Sequence, residues 1–98
     1  VEVYGYKSRL RYVVISTKKL SSSYLILIYN YGITTKITKV FSKHGPLEFE
    51  VKTFSGGSWV NSEILPSNSL VLIEIISQYD LDEVILEFEG GIHVKVSF

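Results

Sequence analysis

Apolar side chains recur at every second position along most of the chain, which is the spacing of β-strands rather than of helices. Residues 24–43 show the pattern best. Every residue on both faces of the first strand in this stretch is apolar: Tyr24, Ile26 and Ile28 on one face, and Leu25, Leu27 and Tyr29 on the other. Strands that are apolar on both faces are typical of the middle of a sheet. We therefore predict a central strand from Tyr24 to Tyr31, with a second one from Ser69 to Ser77.

The segment after the Asn30-Tyr31-Gly32 break alternates less regularly. Ile37 and Phe41 form its apolar side, and Val40 falls on the polar side. This pattern predicts a half-buried strand. The His44-Gly45-Pro46 sequence that follows is typical of a turn, and it leads into a strand in which Leu47, Phe49 and Val51 alternate with charged residues.

The two ends of the chain also predict strands. Leu10, Tyr12 and Val14 lie on one face of a first strand that we expect to bend at Gly5. The last segment, from Val84 to Phe98, is the clearest hairpin, because two alternating strands flank a two-residue Gly90-Gly91 connection.

Seven to eight short strands with regularly spaced turns predict an all-β fold, an antiparallel immunoglobulin-like β-sandwich. A closed barrel is the alternative. At 98 residues, positions 1–98 form a single domain with a hydrophobic core of its own. The longest apolar runs are far shorter than the roughly 20 residues of a membrane helix. Because the sequence starts at Val1 without methionine, we expect a mature product, an excised domain or a trimmed chain.

The charge balance excludes some classes of function. Ten basic and ten acidic residues cancel, and nucleic-acid binding, which needs a basic surface, is not expected. Cysteine is absent, so the sequence offers neither disulfides nor thiolate metal ligands.

No motif predicts catalysis, a cofactor or a metal. His44 and His93 are interpreted as surface histidines. The acidic loop residues Asp80, Asp82 and Glu83 lack the turn-forming glycine of a calcium loop. Four further glutamates alternate with apolar neighbours and read as the solvent face of strands: Glu48, Glu50, Glu87 and Glu89. We therefore predict that the domain is not an enzyme.

The remaining candidate is a contact surface. The chain has seven tyrosines and one tryptophan, together with several strands that are apolar on both faces. Exposed apolar patches mark contact surfaces, and aromatic candidates for one are Tyr4, Tyr6, Tyr29, Tyr31 and Trp59. Pairing of an edge strand is a second route to self-association as a homodimer. We look for that route at Ile33 and along the last strand, at Ile92, Val94 and Val96.

Three segments resemble archaeal type IV pilin-like proteins. Residues 25–40, LILIYNYGITTKITKV, are similar to their strand, Asn-x-Gly, polar, strand signature. Ile64-Leu65-Pro66-Ser67 before SLVLIEI and the closing VILEFEGGIHVKVSF resemble two of their other segments. Within that superfamily the chain is similar to the soluble domains of archaellum accessory proteins of the FlaF and FlaG type. The absence of an Asn-x-Ser/Thr sequon favours an accessory protein over a filament subunit.

The resemblance implies a non-enzymatic structural role. Family members are anchored by a hydrophobic N-terminal helix, which we expect upstream of Val1 as the only membrane contact. They lie between the cytoplasmic membrane and the surface layer, and hold the archaellum motor by binding the surface-layer protein. The implied partners are that protein, another archaellum accessory subunit and a second copy of the chain.

Two alternatives remain open. One is a carbohydrate-binding or adhesive module, for which Trp59 would have to lie exposed and coplanar with nearby tyrosines. The other is an accessory domain of a secreted enzyme whose catalytic residues lie elsewhere.

Overall fold

The computed structural model describes residues 10–98. This part of the chain consists of strands, with a single short 3₁₀ turn at Glu89–Gly91. The predicted bend at Gly5 lies outside the described residues. The strands are β1 Tyr12–Lys19, β2 Ser23–Asn30, β3 Ile37–Ser42, β4 Gly45–Pro46, β5 Glu48–Ser55, β6 Ser58–Asn61, β7 Ser69–Ile76, β8 Glu83–Phe88 and β9 Ile92–Ser97.

The strands form two antiparallel sheets, a five-stranded sheet of order β1-β2-β7-β5-β6 and a four-stranded sheet of order β4-β3-β8-β9. The predicted sandwich is confirmed over the closed barrel. The order also follows the immunoglobulin arrangement, in which strands A, B, E and D form one sheet and C, F and G the other. In that lettering β1, β2, β7 and β5 are A, B, E and D, while β3, β8 and β9 are C, F and G.

The core lies between the sheets and is built by the alternation that the sequence shows. β2 and β7 pair in an unbroken register from Ser23↔Ile76 to Asn30↔Ser69, and both lie inside the five-stranded sheet, as predicted. Burying an aliphatic side chain of this size contributes about 1.5–3 kcal/mol. The fully buried aliphatic side chains are Ile26, Ile28, Val71, Ile73 and Ile75 from one sheet and Val40, Val84 and Leu86 from the other.

The interpretation of Val40 as a residue on the polar side of its strand is wrong. The register between β3 and β8 shifts between Ile37 and Lys39, so that Ile37 and Val40 both point into the core. A bulge adds one residue to a strand, which turns every later side chain to the opposite face. Phe41 is half-buried and pairs with Pro46.

The two turns that contain a Gly-Gly pair differ in length. Ser55↔Ser58 closes a two-residue hairpin in which Gly56 and Gly57 have φ of 61° and 85°. In the last hairpin Phe88 pairs with Ile92, so the connection has three residues, Glu89 to Gly91, and not the two predicted. The positive φ values of both turns suit glycine.

The Asn30 side chain fastens two loops together at one end of the sandwich. Its buried amide donates to the carbonyl oxygens of Ile33, Leu65 and Pro66 at 3.0–3.1 Å, and its Oδ1 accepts the Gly32 N–H at 3.0 Å. The backbones of Thr35 and Leu65 add two hydrogen bonds. The Asn-x-Gly and Leu-Pro-Ser segments on which the family resemblance rests therefore meet in space.

The molecule is a slab of 38 × 35 × 19 Å, so the outer faces of the two sheets are its broad surfaces. In residues 10–98 no helix has the length and apolar character that a membrane crossing requires.

Candidate interaction surface

The predicted interface residues that lie within residues 10–98 are spread over different parts of the molecule. Tyr4 and Tyr6 lie outside the described residues. Ile33 is half-buried in the loop that Asn30 holds, and Trp59 is exposed on β6, at the margin of the five-stranded sheet. The three positions on the last strand point inward: Ile92 and Val96 are buried in the core and Val94 packs against it.

Strand β9 could instead contribute to an interface through the backbone N–H and C=O groups along its outer edge. Within residues 10–98 it pairs only with β8, in a register that runs without a shift from Ile92 to Ser97. The other three edges are less suited to pairing: β4 has two residues, β6 has four, and β1 is interrupted by a bulge between Val14 and Ser16. Short and bulged edges resist strand addition. Among the described strands, β9 is the longest unbroken free edge.

A row of apolar side chains crosses the outer face of the five-stranded sheet. Val13 pairs with Tyr29, and Tyr29 pairs with Leu70. Phe54 and Trp59 continue the row on β5 and β6, one position beyond the Thr53↔Val71 pair. Their rings meet edge to face at 5.3 Å and 69°. Because paired residues point to the same side of a sheet, all of these side chains face outward.

A second row lies beside the first. Ser16 pairs with Leu27, Leu27 with Leu72, and Leu72 with Lys52. Leu27 and Leu72 are half-buried, and they lie on the side of the sheet that faces away from the core. We call the outward-facing residues of these two rows the apolar face: Val13, Leu27, Tyr29, Phe54, Trp59, Leu70 and Leu72.

The next row along the strands is charged at both ends. Its order across the sheet is Lys18, Leu25, Glu74 and Glu50, from β1 to β5. The carboxylate of Glu74 lies 3.7 Å from Lys52 Nζ. Lys18 lies at one margin of the row and Glu50 at the other, so these two side chains do not pair with each other within one copy. This row therefore runs from a basic side chain on β1, through Leu25 and Glu74, to an acidic side chain on β5.

The outer face of the four-stranded sheet carries a polar row of side chains beside the half-buried Phe41↔Ile85 pair. Lys39, Glu87 and His93 are cross-strand neighbours on β3, β8 and β9. Glu87 Oε1 is 2.9 Å from His93 Nε2, and Thr38 Oγ1 donates to Glu87 Oε2 at 2.9 Å. The hydrogen bond from His93, and then that from Thr38, lowers the pKa of Glu87 below its ordinary value. Such cross-strand pairs stabilise a sheet that faces water.

This cluster does not have the order of a catalytic triad. In a triad the histidine lies between the hydroxyl and the carboxylate, so that it can take the hydroxyl proton. Here the Glu87 carboxylate lies between Thr38 and His93. Among residues 10–98 no group of three or more His, Cys, Asp or Glu side chains is arranged to hold a metal ion.

Tyr24 organises the opposite end of the sandwich from Asn30. Its buried hydroxyl donates to the Tyr79 carbonyl and accepts the Leu81 N–H, both at 2.9 Å, which fixes the loop between β7 and β8. The Tyr79 ring stacks on His44 at 4.3 Å. Lys19 Nζ lies 3.0 Å from Asp80, and the hydrogen bond between them raises the pKa of Lys19. Asp80, in the acidic loop considered for calcium, thus pairs with a lysine.

An open cleft of about 590 Å³ lies at the side of the sandwich, between β3 and β5. Its lining includes Lys36, Phe49 and Glu63, and it contains neither histidine nor cysteine. The cleft thus combines mixed polarity with wide access to solvent, unlike the mostly apolar pockets that hold small ligands.

The prediction of a contact surface named aromatic residues and missed the leucines. Tyr29 and Trp59 lie on the apolar face, but its centre is Leu27 and Leu72. The signal was present in the sequence, because β2 and β7 are apolar on both sides. That pattern was interpreted as a central position in a sheet, which is confirmed, although no second layer covers the outer side in the described part of the chain.

Comparison with known proteins supports the fold. No protein-family model matches the chain, and no curated protein matches it. Among solved structures, the chain is similar to the archaellum periplasmic stator protein FlaG from Sulfolobus acidocaldarius. The similarity has a TM-score of 0.55 at 14% sequence identity, and it covers 91% of this chain and 99% of that one. The chain therefore has a FlaG-like fold.

Proposed function

We propose that this domain is a non-enzymatic structural component of the archaellum motor, a stator domain of the cell envelope. The observation that carries the proposal is the fold similarity to a protein described as an archaellum periplasmic stator, which extends over nearly the whole of both chains. The three segments that resemble the superfamily add support, since Asn30 joins two of them in space.

In this role the domain lies outside the cytoplasmic membrane, held by a hydrophobic helix upstream of Val1. It binds the surface-layer protein and a second archaellum accessory subunit, and it self-associates. Two surfaces suit such contacts. The free edge of β9 can accept a strand through its backbone groups, and the apolar face can be covered by a flat partner.

The geometry gives less support to a carbohydrate-binding module. Flat polysaccharides bind to aromatic rings that lie in one plane. The Trp59 ring stands at 69° to Phe54, and Tyr29 lies three strands away from it across the sheet.

Co-sedimentation with isolated archaeal surface-layer sheets tests the proposal. We expect saturable binding of the domain at pH values from about 3 to 7, with stronger binding at the acid end, because protonated carboxylates leave a net positive domain. An unrelated β-sandwich of similar size is the control. Binding no greater than that of the control would contradict the surface-layer role.

A further inference from the structure

The apolar face is a feature of residues 10–98 that the core between the sheets does not explain. Its central leucines lie on two interior strands, and its margins include side chains that are about half exposed, Val13 at 48% and Phe54 at 48%. Contiguous apolar surface of this kind marks a contact site. We propose that the apolar face packs against the same face of a second copy, a partner that rests on the self-associating role proposed above.

The charges at the two margins select this partner. Lys18 lies on β1 and Glu50 on β5, in the same row and on opposite sides of the leucine strands. A row that begins with a lysine and ends with a glutamate is complementary to the same row of a second copy that is turned over. Matching charges across an interface fixes its register and excludes other partners.

A two-fold axis that runs parallel to the strands, between β2 and β7, produces the match. It places β2 of one copy over β7 of the other, and β1 over β5. Lys18 of each copy then faces Glu50 of the other, so the same ion pair forms twice. Two-fold dimers use one patch on both copies in this way.

The same axis brings the apolar rows together. Leu27 of one copy lies over Leu72 of the other, and Tyr29 lies over Leu70, because each of these pairs shares a row. Stacked sheets pack about 10 Å apart, and their strands cross at up to about 30°. A rotation of this size shifts the margins of the two sheets relative to each other, and the long Lys18 side chain can span that shift. Glu74 keeps Lys52 of its own copy as its partner.

The size of the face is sufficient. A stable interface buries about 800 Å² on each partner, less than the area of the broad side of a slab that measures 38 by 35 Å. On the outer side of the four-stranded sheet the apolar surface is smaller, because the Phe41↔Ile85 pair lies beside the polar row of Lys39, Glu87 and His93. The edge of β9 remains free for a different contact in this dimer.

Charge reversal with mixing tests the arrangement in purified protein. Lys18→Glu alone places two negative pairs at the interface, and Glu50→Lys alone places two positive pairs. We expect each variant to dimerise at least about tenfold more weakly than the wild type. A mixture of the two variants restores both ion pairs, so heterodimers should form with an affinity near that of the wild type. The double variant in one chain should dimerise again by itself.

Lys95→Glu is the matched control, since Lys95 lies on the outer side of the four-stranded sheet. It should dimerise as the wild type does, and circular dichroism checks that every variant is folded. A monomeric wild type would overturn the proposal, as would failure of the mixture to associate or dimerisation of the single variants as strong as that of the wild type. The assay contains no surface-layer protein, so its failure is distinguishable from failure of the stator role.

Discussion

The two sheets are built alike on the inside and differently on the outside. In both, alternate residues fill one core with valine, isoleucine, leucine and phenylalanine. Outside, the interior strands β2 and β7 display Leu27 and Leu72, whereas β8 displays Glu87 within a hydrogen-bonded ladder. The inward residues therefore account for the fold, and the outward residues distinguish a sheet with a hydrogen-bonded polar row from a sheet with leucines at the centre of its outer side.

The largest effect on stability should come from the hydrophobic core, which both sheets build. Ile28 and Leu27 are neighbours on β2 that point to opposite sides. Ile28→Ala opens a cavity in the core and should reduce the free energy of unfolding by about 3 kcal/mol. Leu27→Ala should cost less than about 1 kcal/mol in dilute solution and more as the protein concentration rises, because the dimer buries it. Urea unfolding at two protein concentrations measures both values, and an equal cost at both for Leu27→Ala would argue against a buried outer face.

The next largest effect concerns the two loops that the Asn30 side chain holds together at one end of the sandwich. Asn30→Ala removes a buried amide that bonds to the carbonyls of Leu65 and Pro66. We expect a loss of about 2 kcal/mol in unfolding free energy, because the variant loses these bonds and also removes the partner of the Ile33 carbonyl and of the Gly32 N–H. Asn61→Ala, at an exposed site on β6, is the control and should change stability by less than about 0.5 kcal/mol. Similar values for the two variants would mean that Asn30 does not hold the loops together.

The smallest effect on stability should appear on the outer side of the four-stranded sheet, and it should depend on pH. The pKa of Glu87 is lowered in the folded state, mainly by the hydrogen bond from His93. A group of this kind adds stability above its unfolded pKa, and the gain is lost as the pH falls through the lower, folded value. Glu87→Gln should therefore be less stable than the wild type near neutral pH and equal to it in strong acid. Urea midpoints over this range provide the measurement, and a difference that persists in strong acid would contradict the assignment.

Alternation predicted most of the fold because it reports which side of a strand is buried. It identified β2, β7 and the closing hairpin. It misplaced Val40, since a bulge at residues 37–39 changes the phase of β3 without any mark in the composition. The pattern also predicted a last turn that is one residue too short, because Gly90-Gly91 suits two-residue and three-residue loops alike.

The candidate surface was harder to predict for a physical reason. Ile92, Val94 and Val96 alternate with polar residues, and alternation of that kind points a side chain to the core, where the structure places all three. The outward residues of β2 and β7 are equally apolar, but periodicity cannot say whether a second layer covers them. Only the strand order shows that no further layer covers them within residues 10–98.

The most direct test compares one lysine on each broad face. Leu72 and Ile85 are half-buried apolar residues at the centres of the two outer faces. Sedimentation velocity of Leu72→Lys and Ile85→Lys, over about a hundredfold range of concentration, measures self-association. Leu72→Lys buries an unpaired charge in the dimer and should remain monomeric, whereas Ile85→Lys should dimerise as the wild type does. The opposite result, or equal behaviour of the two variants, would contradict the assignment of the five-stranded face as the contact surface.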